Sequence, residues 1–149
     1  METTVKQLIN RKGNVVWSTQ PYATVFEALT LMAEKGIGAL MVFEQDNLVG
    51  IFSERDYARK VFLKGRSSRN TAVGEIMTKR VLVVHPSQTM NDCMALMTDK
   101  RIRHLPVMED NCVMGIISIG DVVKEIISDQ EFVIGQLENY ITGGRKNAR

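Results

Sequence analysis

Cysteine, histidine and long hydrophobic runs are scarce in this chain, and each shortage excludes a class of protein. Only two cysteines occur in the 149 residues, and neither Cys93 nor Cys112 belongs to a C-x-x-C pair of the kind that exchanges disulfides or binds zinc. We interpret both as reduced thiols, which predicts a cytoplasmic protein. No apolar run approaches the ~18–20 residues that cross a bilayer, and residues 1–10 lack the apolar stretch of a secretion signal.

The chain also lacks the residue clusters that metal-based or nucleophilic catalysis needs. The two histidines, His85 and His104, have no neighbouring cluster of cysteines or carboxylates, so the sequence predicts no metal site. No Ser-His-Asp or Cys-His set stands in a context that supports catalysis, which favours a protein that is not an enzyme. The formal net charge of +2 is too small to indicate nucleic-acid binding. A short cationic stretch, 64–69, lacks interleaved aromatic residues and is more simply an exposed connection.

What the chain does contain is an internal repeat. Residues 21–61 match residues 86–126 without gaps, and about a third of the aligned positions are identical. In each copy the apolar residues first follow helical spacing, as in Val25, Ala28 and Met32, and then form two short runs around a polar turn. This order predicts a helix, a β-hairpin and a closing helix per copy, after a short extended lead.

The repeat predicts an α/β (α+β) fold made of two similar halves. We expect the first repeat at 5–63, a linker at 64–72, the second repeat at 73–135, and a helix end with a flexible tail at 136–149. At this size neither half easily buries its sheet face alone. We therefore expect the halves to pack together and to leave two related clefts at their seam.

Two strand-to-helix corners, Gly50 to Asp56 and Gly115 to Asp121, carry the most informative residues. A glycine allows another group to approach the backbone, and a serine hydroxyl at a helix start lies beside N–H groups that favour phosphate. An aspartate three residues later can accept hydrogen bonds from a ribose diol. The same Ser-x-x-Asp spacing is also that of a capping box, in which the acid merely closes the helix end. The residues alone leave these two interpretations about equally open.

The ordered set of motifs resembles a tandem pair of CBS (cystathionine-β-synthase) domains, often called a Bateman module. The resemblance covers roughly residues 5–135. In the first copy the matching motifs are Pro21-x-x-Thr24-Val25-x-x-Ala28, Ile37 to Val42, and Gly50 to Asp56. In the second copy they are Pro86-x-x-Thr89-Met90, Ile102 to Val107, and Gly115 to Asp121.

The resemblance implies a small α/β fold per repeat, pseudo-twofold pairing of the two sheets, and an adenosyl ligand such as AMP, ADP, ATP, NAD or S-adenosylmethionine. On the matching positions it implies that Ser53 and Ser118 lie beside the phosphate and that Asp56 and Asp121 bind the ribose. It also implies that the adenine lies against the backbone of two strand segments, which comprise Ile37, Gly38, Ala39 and Leu40 in one copy and Ile102, Arg103, His104 and Leu105 in the other.

Further candidates lie close to these motifs. Ser18 matches a polar position on the family's first strand, whereas the equivalent Val83 does not, which puts one of the two sites in doubt. Arg55, Arg103 and His104 are candidates for neutralising phosphate. The alternatives are equally open: the arginines would then lie on a solvated surface, and the histidine would be hydrogen-bonded within the fold.

These observations leave two functions in competition. The first is a non-catalytic regulatory module that binds an adenine nucleotide in the clefts between the repeats and acts on a separate target protein. The second is a ligand-independent dimerisation scaffold, against which the Ser/Asp pairs in both repeats weigh. The resemblance implies homodimers, for which Phe26, Val61 and Ile126 are candidate contacts unless they are core residues. We expect neither a nucleic-acid nor a membrane partner.

Overall fold

The computed structural model describes residues 2–13 and 15–142. Helices and strands follow the same order twice, except that a single bridge at Val84 stands in the second copy where the first has the strand β1, which confirms the expected α/β class with two copies of one unit. Most of the predicted tail, residues 143–149, lies outside the described residues. In chain order the elements are α1 (Val5–Lys12), β1 (Ser18–Thr19), α2 (Val25–Lys35), β2 (Ala39–Glu44), β3 (Asn47–Ser53), α3 (Glu54–Tyr57), a π-helical turn (Ala58–Phe62), α4 (Val73–Ile76), α5 (Met90–Lys100), β4 (His104–Glu109), β5 (Cys112–Ser118) and α6 (Ile119–Thr142).

Each copy contains the expected β-hairpin, closed by a two-residue turn. Gln45 and Asp46 connect β2 to β3 with φ of 50° and 67°, and Asp110 and Asn111 connect β4 to β5 with φ of 51° and 63°. Two successive residues with positive φ give the turn whose twist matches that of the strands, and Asp and Asn tolerate this region better than most residues. The polar turn residues therefore set the hairpin in both copies.

The contiguous stretch Val15–Leu82 forms the first unit. Its sheet has the order β1-β2-β3, with β1 parallel and β3 antiparallel to β2. Val61 is buried in the core, so it is not the surface contact that was considered for it from the sequence. The core cluster comprises Val25, Ala28, Met32, Leu40, Val42, Phe52, Val61, Val73 and Ile76.

The second unit combines residues 83–142 with the N-terminal segment 2–13. β4 and β5 form its hairpin, and Val84 extends the hairpin in parallel beside Val107. The backbone N–H groups of Val5 and Met90 donate to the carbonyl oxygens of Gln88 and Thr3, at 2.8 and 3.0 Å. These bonds join the start of α1 to the start of α5.

The compact units of the structure group the two short lead-in helices differently from the sequence repeats. α1 precedes the hairpin of 39–53 in the sequence but lies in the second unit, and α4 precedes the hairpin of 104–118 but lies in the first unit. Each lead-in helix packs where a glycine leaves room for close contact within its unit. The side chain of Ile9 occupies the space over Gly115, while Gly74 lies against Pro21, where a Cβ atom would come within 3.0 Å of the proline carbonyl oxygen.

Candidate functional site

The first corner joins β3 to α3 and holds its aspartate tightly. The Ser53 hydroxyl oxygen accepts from the Asp56 N–H at 3.2 Å, and Asp56 Oδ2 accepts from the Ser53 N–H at 3.0 Å and from its hydroxyl at 3.1 Å. The other carboxylate oxygen, Oδ1, accepts from the Thr78 hydroxyl at 3.1 Å and pairs with the Lys60 ammonium at 3.0 Å. Asp56 is 7% exposed. Both oxygens of this buried carboxylate are thus engaged by the protein itself.

The second corner joins β5 to α6 and repeats the cap with a more open carboxylate. The Ser118 hydroxyl oxygen accepts from the Asp121 N–H at 3.2 Å, and Asp121 Oδ2 accepts from the Ser118 N–H at 2.9 Å. The Lys12 ammonium donates to the same Oδ2 at 2.6 Å and to the Ile116 carbonyl oxygen at 2.9 Å. Among the described residues no hydrogen bond reaches Asp121 Oδ1, and the Ser118 hydroxyl lies close enough to the carboxylate to lower the pKa of Asp121.

The electrostatic environment keeps Asp121 charged. Burial by itself raises the pKa of this carboxyl, but the hydrogen bonds from Lys12 and from the N–H and hydroxyl of Ser118, together with the Lys12 charge, lower it by more. The net pKa of Asp121 lies below its usual value. The side chain of Asp121 is 27% exposed, so the charged carboxylate is accessible from solvent.

Both corners are capping boxes, so the structural alternative raised from the sequence is realised in this fold. The same chemistry closes the starts of α2 and α5, through Thr24 with Glu27 and through Thr89 with Asp92. The corners differ from those two boxes in one respect, since a lysine is paired with each corner aspartate, whereas no ion pair reaches Glu27 or Asp92 within the described chain. A cap alone does not require that lysine.

The glycines of the corners serve packing within the protein. A Cβ atom on Gly50 would come within 2.5 Å of the Met77 sulfur and 3.0 Å of the Thr78 carbonyl oxygen. A Cβ atom on Gly115 would come within 2.8 Å of Ile9 Cδ1. The close approach that the sequence indicated therefore exists, but the approaching group belongs to the same chain.

The strand segments expected to contact adenine lie next to the corners. Ala39 pairs with Ser53 and His104 pairs with Ser118 in the two hairpins. The carbonyl oxygens of Gly38 and Arg103 accept the first N–H of the following helix, from Glu54 at 3.1 Å and from Ile119 at 2.8 Å. The side chains of Leu40 and Leu105 are buried, while Ile37 and Ile102 are half-buried. Each unit thus brings its strand segment and its Ser/Asp pair together.

Ser18 lies further from its corner. It pairs with Met41, two residues along β2 from Ala39, and it lines a polar groove with Thr19, Gln20, Gln45 and Asp46. The pairing of Thr19 with Val42 matches that of Val84 with Val107, so Ser18 and Val83 occupy equivalent positions, as the alignment indicated.

The cations near the motifs are placed as follows. Arg55 follows Ser53 in the first turn of α3, Arg103 precedes β4, and His104 begins it. Arg103 is exposed and His104 is half-buried. None of the three described cavities is lined by Ser53, Asp56, Ser118 or Asp121.

Sequence reasoning missed three residues of the corners, namely Lys12, Lys60 and Thr78. Lys60 lies four residues after Asp56, a spacing that indicates a helical ion pair and was available in the sequence. Lys12 and Thr78 left no such signal, because they lie far along the chain from the aspartates that they contact.

The described residues contain no group of three or more histidines, cysteines and carboxylates placed to hold a metal ion. None of the helices that the structure describes is both long enough and apolar enough to cross a bilayer.

Comparison with known proteins gives consistent matches. A sequence model for the CBS domain matches twice, at residues 5–62 and 73–128. The CBS domain-containing protein CBSX3, mitochondrial, of Arabidopsis thaliana is 40% identical in an alignment 152 residues long. The alignment covers 95% of this chain and 73% of that protein. A solved protein with CBS domains from Burkholderia ambifaria MC40-6 is 51% identical with a TM-score of 0.83, over 86% of this chain and 96% of that one.

A more distant structure shares the fold alone. The CBS domain pair of protein MJ0100, solved in complex with 5′-methylthioadenosine and S-adenosyl-L-methionine, has a TM-score of 0.76 at 22% identity. The alignment covers 87% of this chain and 99% of that pair.

Proposed function

This chain belongs to the CBS domain family, and we propose that it is a non-catalytic regulatory module that binds an adenosyl ligand such as AMP, ADP, ATP, NAD or S-adenosylmethionine. Pairs of CBS domains generally bind adenosyl ligands in regulation. The duplicated Ser-x-x-Asp corner supports the proposal for this chain, because it combines a helix N-terminus, a hydroxyl and a carboxylate within each unit.

The observation that carries the proposal is the accessible, charged carboxylate of Asp121 at the second corner. Asp121 Oδ1 is a charged acceptor without a donor among the described residues, which suits a ribose hydroxyl. The Ser118 hydroxyl lies beside the positive end of the 24-residue helix α6, where a phosphate oxygen is a favoured acceptor for it. A charge-assisted hydrogen bond of this kind contributes about 1.5–3 kcal/mol.

The first corner offers less to a ligand. A ribose at Asp56 must compete with Thr78 and Lys60 for Oδ1, and the Ser53 hydroxyl already donates to Oδ2. Since a new bond there replaces an existing one, its net gain is small. We therefore propose that Asp121 binds ligand more tightly than Asp56, although Ser18 is polar in the first unit and Val83 is apolar in the second.

Thermal unfolding with and without millimolar AMP, ADP, ATP, NAD and S-adenosylmethionine tests the proposal. A ligand at about 100 times its dissociation constant adds about 2.7 kcal/mol of stability, which raises the melting temperature by roughly 5–10 °C at this chain length. We expect at least one adenosyl compound to give this shift. Asp121→Ala is expected to abolish most of it, and Asp56→Ala a smaller part.

Asp92→Ala is the matched control, because Asp92 closes the capping box of α5 without a lysine partner. Both Asp92→Ala and Asp121→Ala lose the acid of a capping box, and Asp121→Ala also loses its pair with Lys12, but only Asp121→Ala should lose the ligand shift. If no adenosyl compound stabilises the wild-type chain, the dimerisation scaffold becomes the better explanation. If the shift survives Asp121→Ala together with Asp56→Ala, the ligand binds elsewhere.

The remaining expectations belong to the same proposal. We propose that the module works as a homodimer in the cytoplasm and acts on a separate target protein, with no resident metal. A related protein of Arabidopsis thaliana carries the word mitochondrial in its name, so localisation of the tagged full-length chain is the direct measurement. Phe26 is an exposed candidate for the dimer contact and has the Arg69 guanidinium 3.8 Å above its ring, while Ile126 lines a groove beside α6.

A further inference from the structure

Each corner aspartate is paired with a lysine that the sequence repeat does not explain. The Lys12 ammonium contacts Asp121 at 2.6 Å, and the Lys60 ammonium contacts Asp56 at 3.0 Å. In the alignment of the two copies Lys60 corresponds to Glu125, while Lys12 lies before the aligned stretch, so the lysines occupy non-equivalent positions. Capping boxes form without such a cation at the starts of α2 and α5. Closing the helix therefore does not account for the lysines.

The Lys12 ammonium has donor capacity left after its contacts with the protein. It donates to Asp121 Oδ2 at 2.6 Å and to the Ile116 carbonyl oxygen at 2.9 Å, whereas an ammonium carries three N–H donors. Within the part of the chain that the structure describes, these are its two acceptors. The side chain of Lys12 is 36% exposed, so a ligand that arrives from solvent can accept the third N–H. Phosphate suits this position, because lysine binds it as a point charge.

The other charged groups around this corner do not replace Lys12. Arg11, the preceding cation on α1, pairs with Glu125 at 3.2 Å, so these two charges offset each other. The carbonyl oxygen of Arg103 accepts the first N–H of α6, but the side chain of Arg103 is exposed, as is that of Lys124 in the next turn of α6. Among the described residues Lys12 is the cation that contacts the corner carboxylate, and it therefore determines the charge that a ligand meets there.

We propose, on the basis of the adenosyl ligand proposed above, that Lys12 makes the second corner selective for an adenosine phosphate over S-adenosylmethionine. A phosphate attached to a ribose at Asp121 is repelled by the carboxylate, since both groups are negative. Lys12 offsets this repulsion and donates its third N–H to a phosphate oxygen, which forms a charge-assisted hydrogen bond. The corner then accepts the negative charge that AMP, ADP, ATP and NAD share.

S-adenosylmethionine presents the opposite charge at the same end of its ribose. Its sulfonium is positive and stands where a nucleotide carries its phosphate. An aspartate without a lysine attracts the sulfonium, whereas the Lys12 ammonium repels it. The lysine thus favours one class of ligand and disfavours the other, and both effects add to the selectivity of the site. Removal of Lys12 should therefore shift the preference of the second corner from the anionic to the cationic compound.

Calorimetric titration of the full-length chain with three adenosyl compounds of different charge tests the proposal. AMP is an anion, 5′-methylthioadenosine is neutral, and S-adenosyl-L-methionine carries a net positive charge. We expect the wild-type chain to bind AMP more tightly than the other two. Lys12→Met should raise the dissociation constant of AMP at least about 10-fold, change that of the neutral compound less than about twofold, and lower that of S-adenosylmethionine. These opposite shifts should persist in an Asp56→Ala background, which leaves the second corner as the site.

Two further variants separate the charge of Lys12 from its structural contacts. Lys12→Arg keeps the positive charge and should keep the order of the three affinities. Lys6→Met removes an exposed lysine from the same helix and should leave all three dissociation constants unchanged. A purely structural role of Lys12 predicts that Lys12→Met weakens the three compounds together, because the bonds to Asp121 and Ile116 are lost whichever ligand is present. Opposite shifts for AMP and S-adenosylmethionine therefore report on charge.

The charge selectivity of the corner and the binding of an adenosyl ligand can fail separately. If the compounds bind but Lys12→Met changes their affinities in parallel, the selectivity is refuted while adenosyl binding stands. The same holds if the wild-type chain binds S-adenosylmethionine more tightly than AMP. If the wild-type chain binds none of the three compounds, both the selectivity and the proposed function are wrong.

Discussion

Asp56 and Asp121 occupy equivalent positions in two copies of one unit, yet their neighbours differ. Both carboxylates accept from the serine that starts the helix, and both pair with a lysine that also donates to a backbone carbonyl. Thr78 adds a further donor to Asp56, whereas Asp121 keeps one oxygen open among the described residues. A repeat can thus duplicate a motif while its surroundings make one copy more accessible than the other.

Lys12 should make part of the stability depend on pH. The pKa of Asp121 in the folded chain lies below its unfolded value of about 3.9. The charged pair therefore stabilises the fold above about pH 4, and this contribution is lost as the pH falls through the folded pKa. We expect Lys12→Met to cost about 1 kcal/mol at pH 7, since the pair is partly exposed, and to cost less as Asp121 becomes protonated.

Urea unfolding at a series of pH values measures this difference, with Lys6→Met on the same helix as control. NMR titration of the Asp121 carboxyl carbon should show a higher pKa in Lys12→Met than in the wild-type chain. A stability difference that stays constant from pH 7 to pH 3 would mean that Lys12 acts through packing and its bond to Ile116, and not through the ion pair.

At the scale of elements, the hairpins and capping boxes follow from local sequence. Polar turn residues with positive φ connect the strands in both copies, and Ser or Thr followed three residues later by an acid begins α2, α3, α5 and α6. The closing helices were harder to predict. In the first copy α3 gives way to a π-helical turn, while in the second α6 continues without interruption for 24 residues.

Two glycines, Gly50 at the first corner and Gly135 inside α6, predict opposite effects of substitution to alanine. Gly50→Ala places a methyl group against the Met77 side chain and the Thr78 carbonyl, so we expect a loss of about 1–3 kcal/mol in unfolding free energy. Gly135→Ala meets no atom within 4 Å and lies inside α6, so it should stabilise by about 0.5–1 kcal/mol. Chemical denaturation of both variants checks the signs. An unchanged Gly50→Ala variant would show that Met77 moves aside without cost.

At the scale of the whole molecule, α1 lies in the second unit and α4 in the first, and this determines which fragments of the chain should fold by themselves. The stretch Val15–Leu82 contains α4, whose Val73 and Ile76 belong to the core of its unit. A fragment of residues 1–63, cut at the end of the first repeat, loses α4 and exposes the apolar side chains of α1. Circular dichroism during urea unfolding should therefore show a more cooperative and more stable transition for 15–82 than for 1–63.

Binding of a hydrophobic dye provides the second measurement on the two fragments. Fragment 1–63 should bind more dye, because Val5, Leu8 and Ile9 are buried in the full chain and belong to the unit that contains residues 83–142. Equal stability and equal dye binding would show that α4 contributes little to its unit and that the boundary read from the sequence is adequate.

The sequence by itself determined the repeat, the order of elements, the hairpins and the position of the Ser/Asp corners. These features are local or duplicated, and so spacing and turn chemistry within a few residues express them. Only the tertiary structure decided that α1 lies with the second repeat, that Lys12 reaches Asp121 across 109 positions, and that one carboxylate oxygen stays open. Such contacts depend on which distant side chain fills which space, as Ile9 does over Gly115, and no short-range pattern records that choice.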